Sequence, residues 1–197
     1  LSDLNIDSLL LGGGRNSRNA DNETNISVVS EEVRIKSNSV LEVADIILAA
    51  KKQLVVEEGA SIIAKGTVNT GDQTLVVQGD GALLRVSADE QVDINRVYTT
   101  NQPQGLVGDL TVANSAVLEA GESMLIDASH SSQVNGEIVM DGGSLNLAAT
   151  EINLGDVEGL DSDGALNISN ADLNKLTVDE LVLTSRKSIN LRGDVGR

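Results

Sequence analysis

The sequence predicts an all-β chain, a right-handed parallel β-helix (solenoid) with roughly nine coils of about 21 residues. Short β-patterned phrases recur at a near-constant interval. Leu54-Val55-Val56 returns as Leu75-Val76-Val77, and Leu145-Asn146-Leu147 as Leu166-Asn167-Ile168, both 21 positions on; Ile189-Asn190-Leu191 follows after 23 more. Phe and Trp are absent and Tyr98 is the only aromatic residue, although 40% of the chain is apolar. A globule fills irregular space between its layers with aromatics, whereas a stacked coil needs only aliphatic rows. Gly-, Asn- and Asp-rich corners separate the phrases, such as Glu58-Gly59, Thr70-Gly71-Asp72, Asn135-Gly136 and Asp141-Gly142-Gly143.

Each strand rests on alternation. In chain order the apolar-polar-apolar triplets are Leu4-Asn5-Ile6, Ile26-Ser27-Val28, Val33-Arg34-Ile35 and Leu41-Glu42-Val43. Val92-Asp93-Ile94, Leu110-Thr111-Val112, Leu176-Thr177-Val178 and Leu181-Val182-Leu183 follow. In each, the outer side chains point inward and the middle one meets solvent. Ile46 to Gln53 lacks this alternation and is read as strand because its neighbours are. Longer echoes pair Asn38-Ser39-Val40-Leu41-Glu42-Val43 with Asn114-Ser115-Ala116-Val117-Leu118-Glu119-Ala120, and Asp80-Gly81-Ala82-Leu83 with Asp163-Gly164-Ala165-Leu166. A sandwich or barrel would also suit many short strands. The constant spacing and in-register recurrence favour the helix. If Asn146, Asn153, Asn167 and Asn190 fall in register, they stack into hydrogen-bonded ladders.

Residues 1–197 form one segment, expected to belong to a longer protein, with polar excursions at Gly12–Glu23 and Tyr98–Gly108. The net charge of −16 disfavours nucleic acid and anionic membranes as partners. No apolar run is long enough for membrane insertion. Cysteine is absent, so neither disulfides nor thiolate metal sites are available.

Few residues suggest chemistry. Asp156, Glu158, Asp161 and Asp163, followed by Gly164, form a weak calcium candidate, since calcium favours clustered oxygens beside a glycine bend. No closing Glu stands at the required spacing, and a coil corner is the better account; no other cofactor is expected. Arg192-Gly193-Asp194 spells a tripeptide that integrin ligands present, a weak partner-binding candidate. His130, the only histidine, lies between serines but belongs to no G-x-S-x-G elbow and reads as a turn residue. No catalytic residue is assigned.

Gly143-Ser144-Leu145-Asn146-Leu147-Ala148-Ala149, Gly164-Ala165-Leu166-Asn167-Ile168-Ser169 and Lys187-Ser188-Ile189-Asn190-Leu191 resemble the coil repeats of filamentous-haemagglutinin-like exoproteins. The resemblance is one of style, covers most of the chain and has no invariant motif. It implies an interior β-helix segment of a large adhesin delivered by two-partner secretion. The implied location is extracellular, secreted or on the bacterial surface. The implied partners are an outer-membrane secretion protein and a host-cell surface or extracellular polysaccharide, in adhesion, aggregation or biofilm. Two other functions compete. One is a polysaccharide lyase or hydrolase using outward carboxylates such as Glu42, Asp93 and Glu119; the other is an adhesin whose coils hold a glycan.

Overall fold

The computed structural model describes residues 6–18, 23–68, 74–99 and 104–195. Leu4-Asn5, the Thr70-Gly71-Asp72 corner and residues 19–22 and 100–103 of the two excursions lie outside them.

The chain is all-β, but it is not a parallel β-helix. Its main element is a mixed, nearly closed, barrel-like sheet of eleven strands. One layer comprises β1 (Ser8–Leu11), β6 (Asp45–Ala50), β10 (Ala82–Ser87), β14 (Ser123–Ala128) and the first half of β17 (Ser144–Gly155). At β17 the sheet doubles back. The second layer continues through β18 (Ala165–Ser169), β15 (Ser132–Val134), β12 (Asp109–Val112), β7 (Gln53–Val56) and β4 (Glu32–Ile35). The long β19 (Glu180–Arg192) pairs with both halves of β17. A four-stranded sheet of β5 (Val40–Glu42), β8 (Ser61–Ile63), β13 (Val117–Glu119) and β16 (Glu137–Val139) closes the third side. The aliphatic core, including Leu48, Leu54, Ile62, Leu84, Leu118 and Ile126, fills the space between these faces.

The expected coil fails at β10. This strand runs antiparallel to both neighbours, with Leu84 opposite Leu48 on one side and Ile126 on the other. A uniform solenoid runs every strand of a face in one direction. Period-two alternation specifies which face a side chain takes but not the direction of the strand. The recurrence is equally uneven in space. Val33 opposite Leu54, Leu41 opposite Ile62 and Met124 opposite Leu145 are 21 residues apart, but Leu9 pairs with Ile46 and Leu54 with Leu110. Leu54-Val55-Val56 and its echo Leu75-Val76-Val77 lie in different sheets. The Asn38 and Asn114 phrases do align, because Leu41, Ile62 and Leu118 form one column. Three residues before each stands a corner of positive φ, at Asn38, Gly59 and Ser115, closed by the same tight-turn hydrogen bond. Leu176-Thr177-Val178 is not a strand. Ser169 caps the single-turn helix α1 (Asn170–Leu173) by accepting from the Asp172 N–H, and the chain then crosses the core end irregularly.

A third sheet, β2 (Gly13–Arg18), β3 (Glu23–Val28), β9 (Thr74–Gln78) and β11 (Asp93–Val97), lies on the outside of the first layer. Within the Gly12–Glu23 excursion, β2 pairs antiparallel with β3. Ile26, Leu75, Val77 and Val92 cover Ile47, Ala49, Leu83 and Leu125, so β6, β10 and β14 are buried on both faces. This double burial explains why Ile46–Ala50 is continuously apolar.

Two charge clusters pin this double layer. Asp45 accepts from Arg85 Nε at 2.8 Å and Ser8 Oγ at 2.7 Å, and Arg85 Nη1 donates to Ser123 Oγ and the Glu90 carbonyl. Diagonally across, Asp127 accepts from Arg96 Nε at 2.6 Å and from Arg186. A buried pair is little better than an apolar replacement, but removing one member strands the other charge. Asp45→Ala is therefore expected to cost about 3–5 kcal/mol in urea unfolding, and Asp45→Ala with Arg85→Met to recover most of it. A single-variant cost under about 1 kcal/mol contradicts the assignment.

Candidate functional site

Among the described residues, two concavities stand out on the surface. The larger, about 780 Å³, lies between the β16 edge and α1, with Leu145, Leu147, Leu166 and Ile168 on its floor and Asp172 and Lys175 on its rim. It marks where the third side of the core stops. The smaller, about 350 Å³, is polar: His130, Glu151, Asn153, Asp161, Asp163, Lys187 and Arg192 converge on it. Its position follows from the strands, since Glu151 and Asn153 lie on β17, Lys187 and Arg192 on β19, and His130 in the β14–β15 turn.

His130 stands between two carboxylates there. Its Nδ1 lies 2.7 Å from Asp109 Oδ1, and its Nε2 lies 3.6 Å from Asp163. Asp109 also accepts from the Ser131 hydroxyl at 2.7 Å and the Ser131 N–H at 3.3 Å. Burial would raise the Asp109 pKa, but the Ser131 and His130 hydrogen bonds outweigh it and hold the carboxyl below 3.8. An oriented Asp–His pair resembles part of a triad, but Ser131 is bonded to the same carboxylate rather than to the imidazole, so no nucleophile faces the histidine.

The asparagine expectation is met for three of its four members. Asn153 Nδ2 donates to Asn167 Oδ1 at 2.9 Å, and Asn190 Nδ2 to Asn153 Oδ1 at 3.0 Å. The three lie opposite one another on β18, β17 and β19. Asn146 stands apart, opposite Val182.

The calcium candidates divide between two places. Asp161 and Asp163 face the groove, where Asp161 Oδ1 accepts the Asp163 N–H in a local turn. Asp156 lies against Gly193, and Glu158 is exposed in the intervening turn. Among the described residues no three His, Asp or Glu side chains converge as a metal site needs.

Arg192-Gly193-Asp194 closes β19. Arg192 Nε donates to Asn153 Oδ1 at 3.2 Å, directing the side chain along the ladder, and the Asp194 carbonyl accepts from Asn170 Nδ2. Gly193, at φ +67°, has no room for a Cβ beside Asp156. Glu42 and Glu119 share an outward column of the third-side sheet with Ile63 between them, while Asp93 lies on β11 in another sheet. Those three carboxylates do not form one site.

In the Tyr98–Gly108 excursion, Asp80 accepts from the Tyr98 hydroxyl at 3.1 Å and the N–H groups of Gly105 and Leu106. Burial raises the Tyr98 pKa. Sequence reasoning did not single out Asp80 or Asp109. Each precedes a strand-like phrase, where a short acidic side chain can accept from nearby backbone N–H groups, and that is the signal available.

No family model matches the chain, and no curated protein or solved structure matches it either.

The lowered pKa of Asp109 sets a pH signature. A carboxylate held below its unfolded value contributes stability above that value and loses it as pH falls through the folded one. The stability gap between the parent chain and Asp109→Asn should be full at about pH 5, above the unfolded carboxylate range, and shrink as pH falls below that range. Half exposed, the group contributes about 1 kcal/mol. Urea midpoints for both proteins across that range check it; a gap independent of pH contradicts the assignment.

Proposed function

We propose that the chain is a structural and adhesive segment of a large secreted or surface-attached bacterial adhesin, and not an enzyme. The supporting observation is how the groove's polar groups are engaged. Asp109 holds His130 and Ser131, Asp161 holds its own turn, Asn153 joins Asn167, Asn190 and Arg192, and Lys187 lies 3.7 Å from Glu151. His130, Asp109 and Arg192 are hydrogen-bonded to the scaffold, as rigid presentation requires, while Asp163 and Lys187 stand exposed at the rim. A hydrolytic pair would instead aim two carboxyls across an open cleft.

The supporting mechanics are those of a stiff β scaffold. Continuous ladders enclose an aliphatic core, and Arg15 and Arg96 of the outer sheet reach Asp45 and Asp127 of the main sheet. The proposed target is a host-cell surface or an extracellular polysaccharide, met by the groove rim and the Tyr98–Gly108 excursion. Delivery through an outer-membrane secretion partner belongs to the same proposal. The resemblance of the phrases at Gly143, Gly164 and Lys187 to exoprotein repeats also supports it.

Beads coated with the purified chain, applied to cultured epithelial cells and to immobilised acidic and neutral polysaccharides, test the proposal. Saturable attachment that soluble chain competes away is expected, with polysaccharide length unchanged. Retention no greater than that of albumin-coated beads contradicts adhesion. Shortening of any polysaccharide contradicts the non-enzymatic assignment.

A further inference from the structure

Glycine follows an asparagine or aspartate at four places: Asp80-Gly81, Asn135-Gly136, Asp141-Gly142 and Asp163-Gly164. Such pairs are chemically labile, because the glycine nitrogen carries no neighbouring Cβ to obstruct its approach to the carbonyl carbon of the preceding side chain. The structure separates the four. At Asp80-Gly81 the Gly81 N–H donates to Ser129 Oγ at 2.6 Å, and the Asp80 carboxylate accepts from Tyr98, Gly105 and Leu106. At Asp141-Gly142 the Gly142 N–H donates to the Thr177 carbonyl at 2.9 Å. Asp163 is open to solvent, but a carboxyl is ordinarily ionised at neutral pH and is then a poor electrophile.

Asn135-Gly136 has none of these protections. It forms the corner between β15 and β16 on the rim of the larger concavity, and Asn135 is exposed. Hydrogen bonds hold the corner on either side: the Asn135 N–H donates to the Val112 carbonyl at 2.9 Å, and the Glu137 N–H to the Ala116 carbonyl at 2.8 Å. Among the described residues, neither the Gly136 N–H between them nor the Asn135 side-chain amide has a hydrogen-bond partner. A neutral amide is the better electrophile, and here it stands beside an unengaged nitrogen. Every other asparagine precedes a residue that carries a side chain.

We propose that Asn135-Gly136 is a site of spontaneous covalent modification, at which the folded chain deamidates and β16 is released. The Gly136 nitrogen bonds to Asn135 Cγ, the Cγ–Nδ2 bond breaks, and ammonia leaves with the proton that the Gly136 nitrogen gives up. Water then opens the resulting succinimide. Opening at Cγ leaves an aspartate; opening at the main-chain carbonyl leaves an isoaspartate, whose main chain is one methylene longer. The corner has no slack for that methylene. A Cβ at Gly136 would lie 2.6 Å from the Ala116 carbonyl oxygen and 2.7 Å from Val112 Cγ1. The isoaspartyl product therefore displaces Gly136 and breaks the Glu137–Ala116 hydrogen bond that begins the pairing of β16 with β13. Both products add a negative charge beside Glu137 on the groove rim.

The test ages the purified chain at body temperature and mildly alkaline pH, beside a free peptide of the Gln133 to Ile138 sequence, and reads both by digestion and mass spectrometry. Asn135 should be the first residue converted, at a rate within about tenfold of the peptide's, because an exposed corner opens at little free-energy cost. Asn135→Gln should stay unmodified at that position. Amide exchange of Glu137, Ile138 and Val139 should quicken in the aged chain but not in Asn135→Asp, which gains the charge without the methylene. Conversion more than about tenfold slower than in the peptide, or first conversion at another residue, overturns the proposal. So does β16 exchange that ageing leaves unchanged, or that Asn135→Asp quickens equally.

Discussion

Burial of β6, β10 and β14 on both faces is the constraint from which the architecture follows. Leu48, Leu84 and Ile126 face the enclosed core, while Ile47, Leu83 and Leu125 face the outer sheet. A strand apolar on both faces cannot stop at solvent, so the outer sheet exists to cover it. Where that cover ends, the strand termini are polar. Asp45 and Asp127 sit there, and Arg85, Arg96 and Arg186 neutralise them.

Much of the strand content was legible because alternation is a local signal. Val33-Arg34-Ile35 and Leu110-Thr111-Val112 need only their own side chains to declare a face. The Glu58-Gly59 corner was legible too, while Asn38 and Ser115, which share its backbone conformation and its place in the column, were read only as parts of an echoed phrase. Direction was not. Whether β10 runs with or against β6 leaves the same residues inside, so a uniform coil looked adequate. The Leu54 and Leu75 phrases share a pattern because Leu54, Val56, Leu75 and Val77 are all buried, and they are so in different sheets.

At the candidate site the ladder of Asn153, Asn167 and Asn190 was foreseen because one residue type recurred between apolar neighbours. The engagement of His130 by Asp109 was not, since 21 residues separate them and only the register brings them together. Arg85 offered a signal that was passed over. An arginine within Ala82-Leu83-Leu84-Arg85-Val86 must find a buried acid if the strand is covered on both sides. The acidic run from Asp156 to Asp163 misled in the opposite direction, because proximity in sequence did not become convergence in space.

Amide hydrogen exchange resolved by residue tests double burial most directly. Amides of β6, β10 and β14 should exchange only through global unfolding, with one common free energy, while β16 and β19 at the sheet edges exchange through local opening. Exchange of the β10 amides as fast as those of β19 would contradict the account.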